Sequence, residues 1–415
     1  MNYGNIKPII REIMKTESRN NSLKPQYWFP LAIATYDEDE VMEAIESMCT
    51  FRTTMWDKTQ KFEEAFGELH DAEAIMVNSG SSADLLSSFL LHERSGGQMK
   101  TGDEVLVSAV TWPTQVWSLS MAGFVPRFVD VNPNTLNIDL QDLRRQINPR
   151  TKALALVHLM GNSSAMSEIK DICDQNGMAL IEDCCESLLT ESNGQKVGTF
   201  GQSGTFSFFF SHQITTMEGG MIITRNPDDA ERLRLLRAHG WSRNLKAKTA
   251  NTSGIDERYT FLSWGFNVRP TELQAGFGLI QLARLPQFMA ARKKNAYYLM
   301  DAINQFQPTL RPMLVNQDVK CSWFTFPILV NKDAPFSRND LTSFLENNGV
   351  ETRPIVAGNL TRQPAIQKFP ELQRDNLPGA DEVHDFGFYI GIHPIDYTFE
   401  IDRFSQLLSD FHSAL

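Results

Sequence analysis

Between Gly204 and Gly220 the chain reads Gly-Thr-Phe-Ser-Phe-Phe-Phe-Ser-His-Gln-Ile-Thr-Thr-Met-Glu-Gly-Gly, and His212 is the one imidazole in the run. An imidazole suits proton transfer near neutral pH, because its ordinary pKa falls there. Unlike a lysine amine, it cannot form an imine with a carbonyl. A second run, Val77-Asn-Ser-Gly-Ser-Ser-Ala-Asp, ends a strand and opens a helix. Free N–H groups and the positive end of a helix dipole then gather around Gly80 and Ser81, which makes an anion site. Read alone, the same run fits a plain N-cap as well. A third run, Ile181-Glu-Asp-Cys-Cys-Glu, follows an apolar strand and sets Asp183 where a parallel sheet presents ligands. An isolated aspartate there also fits a solvated strand end. Trp112 in Thr111-Trp-Pro-Thr offers either an aromatic face to a flat ring or ordinary core packing. Arg269, before Pro270, has the fork geometry for a carboxylate, or it caps the chain locally.

The elements that must position these residues follow from apolar spacing. Helical periodicity predicts helices over 39–48 and 61–69, then a strand at 74–77 and a helix over 81–92. Next come a strand at 104–108, a helix near 115–121, and strands at 153–158 and 178–181 with an amphipathic helix between them. Alternating strands and helices predict an α/β layer with a mostly parallel central sheet. Two periodic stretches, 272–284 and 289–306, follow Pro270, and the change of domain is placed near Pro286. The expected units are an N-terminal arm (1–30), a large domain (31–286) and a small α+β domain (287–415). The small domain should hold a strand at 324–330, a helix over 338–347 and a closing helix over 401–415.

Bulk properties narrow the function classes. The chain has 415 residues, 42% of them apolar and 21% charged, with no repeat or low-complexity segment, so two domains folded throughout are expected. Residues 1–15 are too broken by charge for a secretory signal or a membrane span. A formal net charge of −11 disfavours a nucleic-acid groove and leaves any nucleotide to be held by local donors. Five scattered cysteines form no CxxC pair and no spaced metal set, which suits a reducing, cytoplasmic compartment without disulfides or a bound metal.

From about Phe29 to the end the chain resembles the DegT/DnrJ-type sugar aminotransferases, and His212 stands where that family keeps its cofactor lysine. The resemblance implies an α/β fold of type I, the aspartate aminotransferase-like transferases dependent on pyridoxal phosphate, with a mixed central sheet, and a homodimer with shared sites. It makes Gly80, Ser81 and Ser207 phosphate ligands, although Ser207 also fits a strand serine facing a hydroxyl. Trp112 becomes the cover of the cofactor ring, Asp183 the partner of its nitrogen, and Glu186 the neighbour of its hydroxyl, where relatives carry glutamine. Asn267 would reach the partner subunit's phosphate, and Arg269 would take the carboxylate of L-glutamate as amine donor. Thr53-Thr-Met-Trp-Asp and the run from Arg353 to Pro364 resemble the sugar pocket, which nominates Trp56, Asp57, Arg353 and Arg362 as substrate-binding. The two arginines also fit surface charges. Trp56 and Asp57 depart from the glycine and proline usual among relatives.

Replacement of the lysine by histidine marks the family's sugar 3-dehydratases. It implies noncovalent pyridoxal or pyridoxamine phosphate and removal of the 3-hydroxyl from a nucleotide-linked 4-keto-6-deoxy sugar, GDP-4-keto-6-deoxymannose foremost, for surface polysaccharide such as O-antigen. Related dehydrases carry a four-cysteine iron–sulphur motif beyond the histidine; here Cys321 is the only cysteine after His212, so no cluster is expected. The competing readings are an aminotransferase with an unusual base and a noncatalytic nucleotide-sugar-binding protein.

Overall fold

The computed structural model describes residues 5–20, 27–92, 99–245 and 254–415, so parts of the arm expected at 1–30 lie outside the described residues. Fourteen strands occur among them. β1 Glu73–Val77, β2 Glu104–Ser108, β3 Val125–Val129, β4 Thr151–Val157 and β5 Ala179–Asp183 come first. A short hairpin follows, β6 Glu191–Ser192 and β7 Gln195–Lys196, and then β8 Ser203–Ser207 and β9 Gly220–Thr224 return to the main layer. The main sheet has seven strands in the order β1-β9-β8-β5-β4-β2-β3. Its pairs from β8 through β3 are parallel, and β9 runs antiparallel to both of its neighbours. The sheet is therefore mixed, with β9 its one reversed strand.

The smaller unit contains β10 Leu310–Pro312, β11 Val319–Lys320, β12 Phe326–Val330, β13 Arg353–Pro354 and β14 Gly387–Ile390. Four of these form an antiparallel sheet, β10-β12-β14-β13, while β11 pairs back to β6. The helices expected in this unit form as Arg338–Asn347 and Thr398–Ser413.

Local sequence explains most helix starts. Asp37 caps the helix Glu38–Cys49 through a reciprocal box with Glu40, and Thr271 does the same with Gln274 for the helix Glu272–Asn304. The helix Asp57–His70 begins four residues before the expected Lys61 and has no side-chain cap of its own. Glu272 caps it from outside: its carboxylate accepts the N–H groups of Trp56 at 2.7 Å, Lys58 at 2.5 Å and Thr59 at 3.2 Å. No local periodicity carries that signal.

The long helix runs through Pro286. The two periodic stretches are one helix of 33 residues with Pro286 inside it. An interior proline forfeits a backbone hydrogen bond at a cost of about 3 kcal/mol. Packing against the helices 38–49, 57–70 and 398–413 holds the helix together across that defect. One apolar core runs through both units, joining Val105 and Ala153 of the main sheet to Phe326, Phe388 and Phe404 of the smaller one. We propose 31–286 and 287–415 as two units that share this helix and this core.

Candidate active site

The loop between β1 and the helix Gly80–Leu90 is built to leave donors free. Ser79 is the N-cap, and its hydroxyl accepts the N–H of Ser82 at 3.1 Å. The N–H groups of Gly80 and Ser81 belong to the first turn, so the helix offers them no carbonyl. A Cβ on Gly80 would lie 2.5 Å from Cβ of Ser207, so glycine is what allows the end of β8 to approach this turn. The Ser81 hydroxyl sits 3.0 Å from that of Thr114. Gly80, Ser81 and Ser207 thus lie together at this turn. Thr114 joins them, inside a motif that was read for Trp112 alone.

Asp183 closes β5 and lies in register beside Thr205 of β8. It is buried, and burial raises its carboxyl above the ordinary aspartate range; the N–H of Cys185 donates to it at 3.0 Å. Glu186 accepts the N–H of Met160 at 2.7 Å, and burial pushes its pKa up to about 7. The charge that the glutamine-to-glutamate change left open therefore switches near neutral pH. Trp112 is the N-cap residue of the helix Pro113–Met121; its ring caps nothing and is 59% exposed. It is free to cover a flat ligand.

His212 lies in the turn after β8, where its N–H donates to the carbonyl of Phe209 at 3.0 Å. Edge-on contacts from Phe209 and Phe324 hold the imidazole, with ring centres 6.0 and 5.0 Å away. Its Nδ1 is enclosed without a hydrogen-bond partner. Burial, and then the Arg292 guanidinium, lower its pKa to about 3, so the ring is a neutral base at working pH. Gln213 fixes the turn by donating to the carbonyl of Glu186 at 2.6 Å. Arg292 donates to the carbonyls of Trp323, Phe324 and Ile392 at 3.0–3.2 Å, which anchors the backbone that carries Phe324. Nothing in the run around Arg292 marked it beforehand.

Three histidines read as structural have distinct settings. His158 pairs with Glu182 at 3.1 Å with both groups buried, His393 is buried, and His239 takes a left-handed backbone conformation at φ 63°.

The remaining nominated residues lie elsewhere on the chain. Trp56, Asn267 and Arg269 line a separate cleft of about 1200 Å³ with Trp241 and Arg243. There Arg269 donates to Asn267 at 2.9 Å, and Arg52 lies 5.6 Å from the Trp56 ring centre. Asp57 faces solvent and pairs with Lys61 at 2.6 Å. Arg353 pairs with Glu351 at 2.8 Å, and Arg362 with Asp385 at 2.8 Å and Asp381 at 3.5 Å. Both arginines are half-exposed, and a ligand anion would have to compete with these carboxylates.

A sheet whose parallel strands end in an anion-binding turn, a buried aspartate and a loop-borne base defines an α/β enzyme of the cofactor-binding transferase class. Residues 34–403 match the model of the DegT/DnrJ/EryC1/StrS aminotransferase family, and the chain belongs to that family. It is 37% identical over 390 residues to the GDP-4-keto-6-deoxy-D-mannose 3-dehydratase of Escherichia coli O55:H7, covering 92% of this chain and 99% of that protein. Among solved structures it is similar to the E. coli GDP-4-keto-6-deoxy-D-mannose-3-dehydratase with bound hydrated PLP, with a TM-score of 0.88, 35% identity, and coverage of 92% of this chain and 99% of that one. A GDP-4-keto-6-deoxymannose-3-dehydratase with a trapped PLP–glutamate geminal diamine matches with a TM-score of 0.87 at 35% identity, covering 92% and 100%. Likeness to these dehydratases agrees with the fold and activity implied by His212.

Proposed function

We propose that this chain is a pyridoxal phosphate-dependent sugar 3-dehydratase that removes the 3-hydroxyl of GDP-4-keto-6-deoxymannose, with L-glutamate as amine donor. The observation that carries the reading is a neutral, aromatic-clamped His212 at the place of the family's lysine, beside an otherwise complete cofactor cradle. The cradle fits a phosphorylated pyridine. Its glycine cannot take a Cβ, its helix turn has donors to spare, and its buried aspartate has no ion-pair partner among the described residues.

When bound, the cofactor supplies a primary amine and a ring that accepts electrons. The residues here do the rest. Gly80, Ser81 and Ser207 hold the phosphate, and Trp112 covers one ring face. Asp183 keeps a proton at the ring nitrogen by presenting a carboxylate to it. Glu186 sits beside the ring hydroxyl. His212 moves the proton at Nε2, because its Nδ1 is enclosed. Having no amine, it cannot hold the cofactor covalently; it first accepts a proton as base and then passes that proton to the departing hydroxyl.

Asn267 and Arg269 belong to the same reading through a homodimer, in which each chain lends its cleft to the partner's site. Trp56, Asp57, Arg353 and Arg362 shape the nucleotide-sugar pocket. Among the described residues no helix is long and apolar enough to cross a membrane, and we place the enzyme in the cytoplasm, where it feeds surface polysaccharide synthesis.

The deciding experiment titrates purified protein with pyridoxal phosphate and L-glutamate by absorbance, then analyses the mass of the sugar product from GDP-4-keto-6-deoxymannose. Bleaching of the aldehyde band by glutamate, with ammonia released and oxygen lost from the sugar, is the expected result. An amino-sugar product would make the chain an aminotransferase. Absence of cofactor binding would leave a nucleotide-sugar-binding protein.

A further inference from the structure

A second carboxyl lies beneath the cofactor cradle. Asp84, one turn into the helix Gly80–Leu90, is 7% exposed, and its carboxyl oxygen lies within 4.8 Å of both the Asp183 carboxyl and the Cys185 sulfur. Thr205, the register neighbour of Asp183, donates its hydroxyl to Asp84 at 2.6 Å. Neither carboxyl has an ion-pair partner among the described residues, where two buried acids would ordinarily face a cation.

Among the described residues no lysine or arginine around them supplies one. The rest of the helix 80–90, strands β8 and β9, and the helix 113–121 carry no ionisable side chain. Burial raises the Cys184 and Cys185 thiols well above their usual range, so both are neutral. His158 is paired with Glu182. Helix 227–237 packs on the same helix, but its Arg232, Arg234 and Arg237 are held by Asp229, Glu73, Glu231 and Glu63. Two buried carboxyls this close do not both ionise at neutral pH; the pair retains a proton. Asp84 is the one that keeps it: Asp183 takes the fixed N–H of Cys185 and lies near His158, both of which favour its carboxylate, whereas Asp84 meets the Thr205 hydroxyl, which can turn to accept from a carboxyl.

We propose that Asp84 is a positioning residue that acts through Asp183: it holds one proton, so the pair meets the cofactor's single ring-nitrogen cation with a single negative charge, carried by Asp183. This rests on the cofactor assignment above. The proton stays on Asp84 throughout, and no bond to the cofactor is made by it.

The test compares the full-length wild type with Asp84→Asn and Asp183→Asn. Asparagine copies a neutral acid and still accepts from Thr205. Without cofactor, infrared difference spectra at pH 7 should show a protonated-acid carbonyl stretch in wild type beyond the one that Glu186→Gln removes, and that component should be lost in Asp84→Asn. The wild-type unfolding temperature should fall relative to Asp84→Asn as pH rises, since a raised acid pKa means the folded state binds more protons than the unfolded one. Pyridoxal phosphate affinity should stay within about threefold in Asp84→Asn and weaken about tenfold or more in Asp183→Asn, the latter being 1.4 kcal/mol or more. A spectrum unchanged by Asp84→Asn, or a tenfold affinity loss in that variant, overturns the inference while leaving the cofactor assignment standing. If Asp84→Asn does not fold, an infrared spectrum of Glu186→Gln lacking any protonated-acid band at pH 7 overturns it equally. Failure of wild type to bind pyridoxal phosphate at any pH overturns both.

Discussion

The pocket around Asp183 and His212 and the cleft around Trp56 and Arg269 are opposites. The first is buried and acidic, and in the proposed reading all of its cofactor contacts but Asn267 come from one chain. Asp183 and Asp84 are buried, and His212 is clamped between two rings. The second is open, with Trp56 56% exposed, Arg269 donating to Asn267 and Arg243 lying over the Trp241 ring. The difference teaches where each kind of energy is spent. Chemistry at a ring needs low dielectric and fixed distances, which a sheet edge supplies. Recognition of a mobile anionic substrate needs exposed donors that a second chain and the ligand can complete.

The sharpest way to break this comparison is His212→Asn. Turnover of the 4-keto sugar should fall by about 10²–10⁴-fold, the usual worth of a positioned acid–base group. Cofactor affinity, measured by dialysis or fluorescence, should hardly move. Equal loss of both would mean that His212 builds the pocket instead of working in it.

Gly80→Ala comes next. The new Cβ meets Cβ of Ser207 at 2.5 Å, and overpacking of this kind costs about 1–3 kcal/mol. Pyridoxamine phosphate affinity should drop by roughly 5- to 150-fold. Normal affinity in a titration would show that the cradle has slack.

In the open cleft, Arg269→Ala should raise KM for glutamate by about tenfold or more, as expected for losing hydrogen bonds to a charged group worth about 1.5–3 kcal/mol. Single-turnover sugar dehydration by enzyme already loaded with pyridoxamine phosphate should stay near wild type. A slowed sugar step instead would move Arg269 from donor recognition to the reacting centre.

Smaller still is a pH effect at Glu186. Its pKa is pushed up to about 7 by burial, whereas the unfolded chain titrates near about 4.3. The folded state therefore binds the extra proton, and stability is lost as pH climbs through that window. Thermal melts of cofactor-free protein should show Glu186→Gln matching wild type near pH 4.5 and exceeding it above pH 7. A constant gap across that range would refute the burial argument. Smallest of all is Arg362→Ala. Its pairs with Asp381 and Asp385 are half-exposed, so stability should change by under about 1 kcal/mol in a denaturant melt. A large fall in sugar affinity would then belong to ligand contact alone.

Much of the enclosed pocket was legible because its parts are short and local. Strand, turn and helix start are all contained in 73–90, and strand and aspartate in 179–186, so period and motif coincide. The aromatic run with His212 is likewise one segment. Legibility failed where a helix or a charge depends on something distant. Glu272 starts the helix at Asp57 from more than two hundred residues away, and packing joins the two periodic stretches around Pro286 into one helix. Arg292 carries no local signal, because its three carbonyl partners lie in distant segments.

The sequence by itself determined the kind of chemistry: an imidazole in place of an amine, an anion turn and a strand-end carboxylate, each set by residue type and local backbone preference. Tertiary structure alone decided the company these groups keep. The sheet order, with β8 between β5 and β9, brings the helix Gly80–Leu90 over β8 and so sets Asp84 against Thr205 and Asp183. The ionisation of two such acids depends on the distance and dielectric between them, and those quantities exist only after the chain has packed.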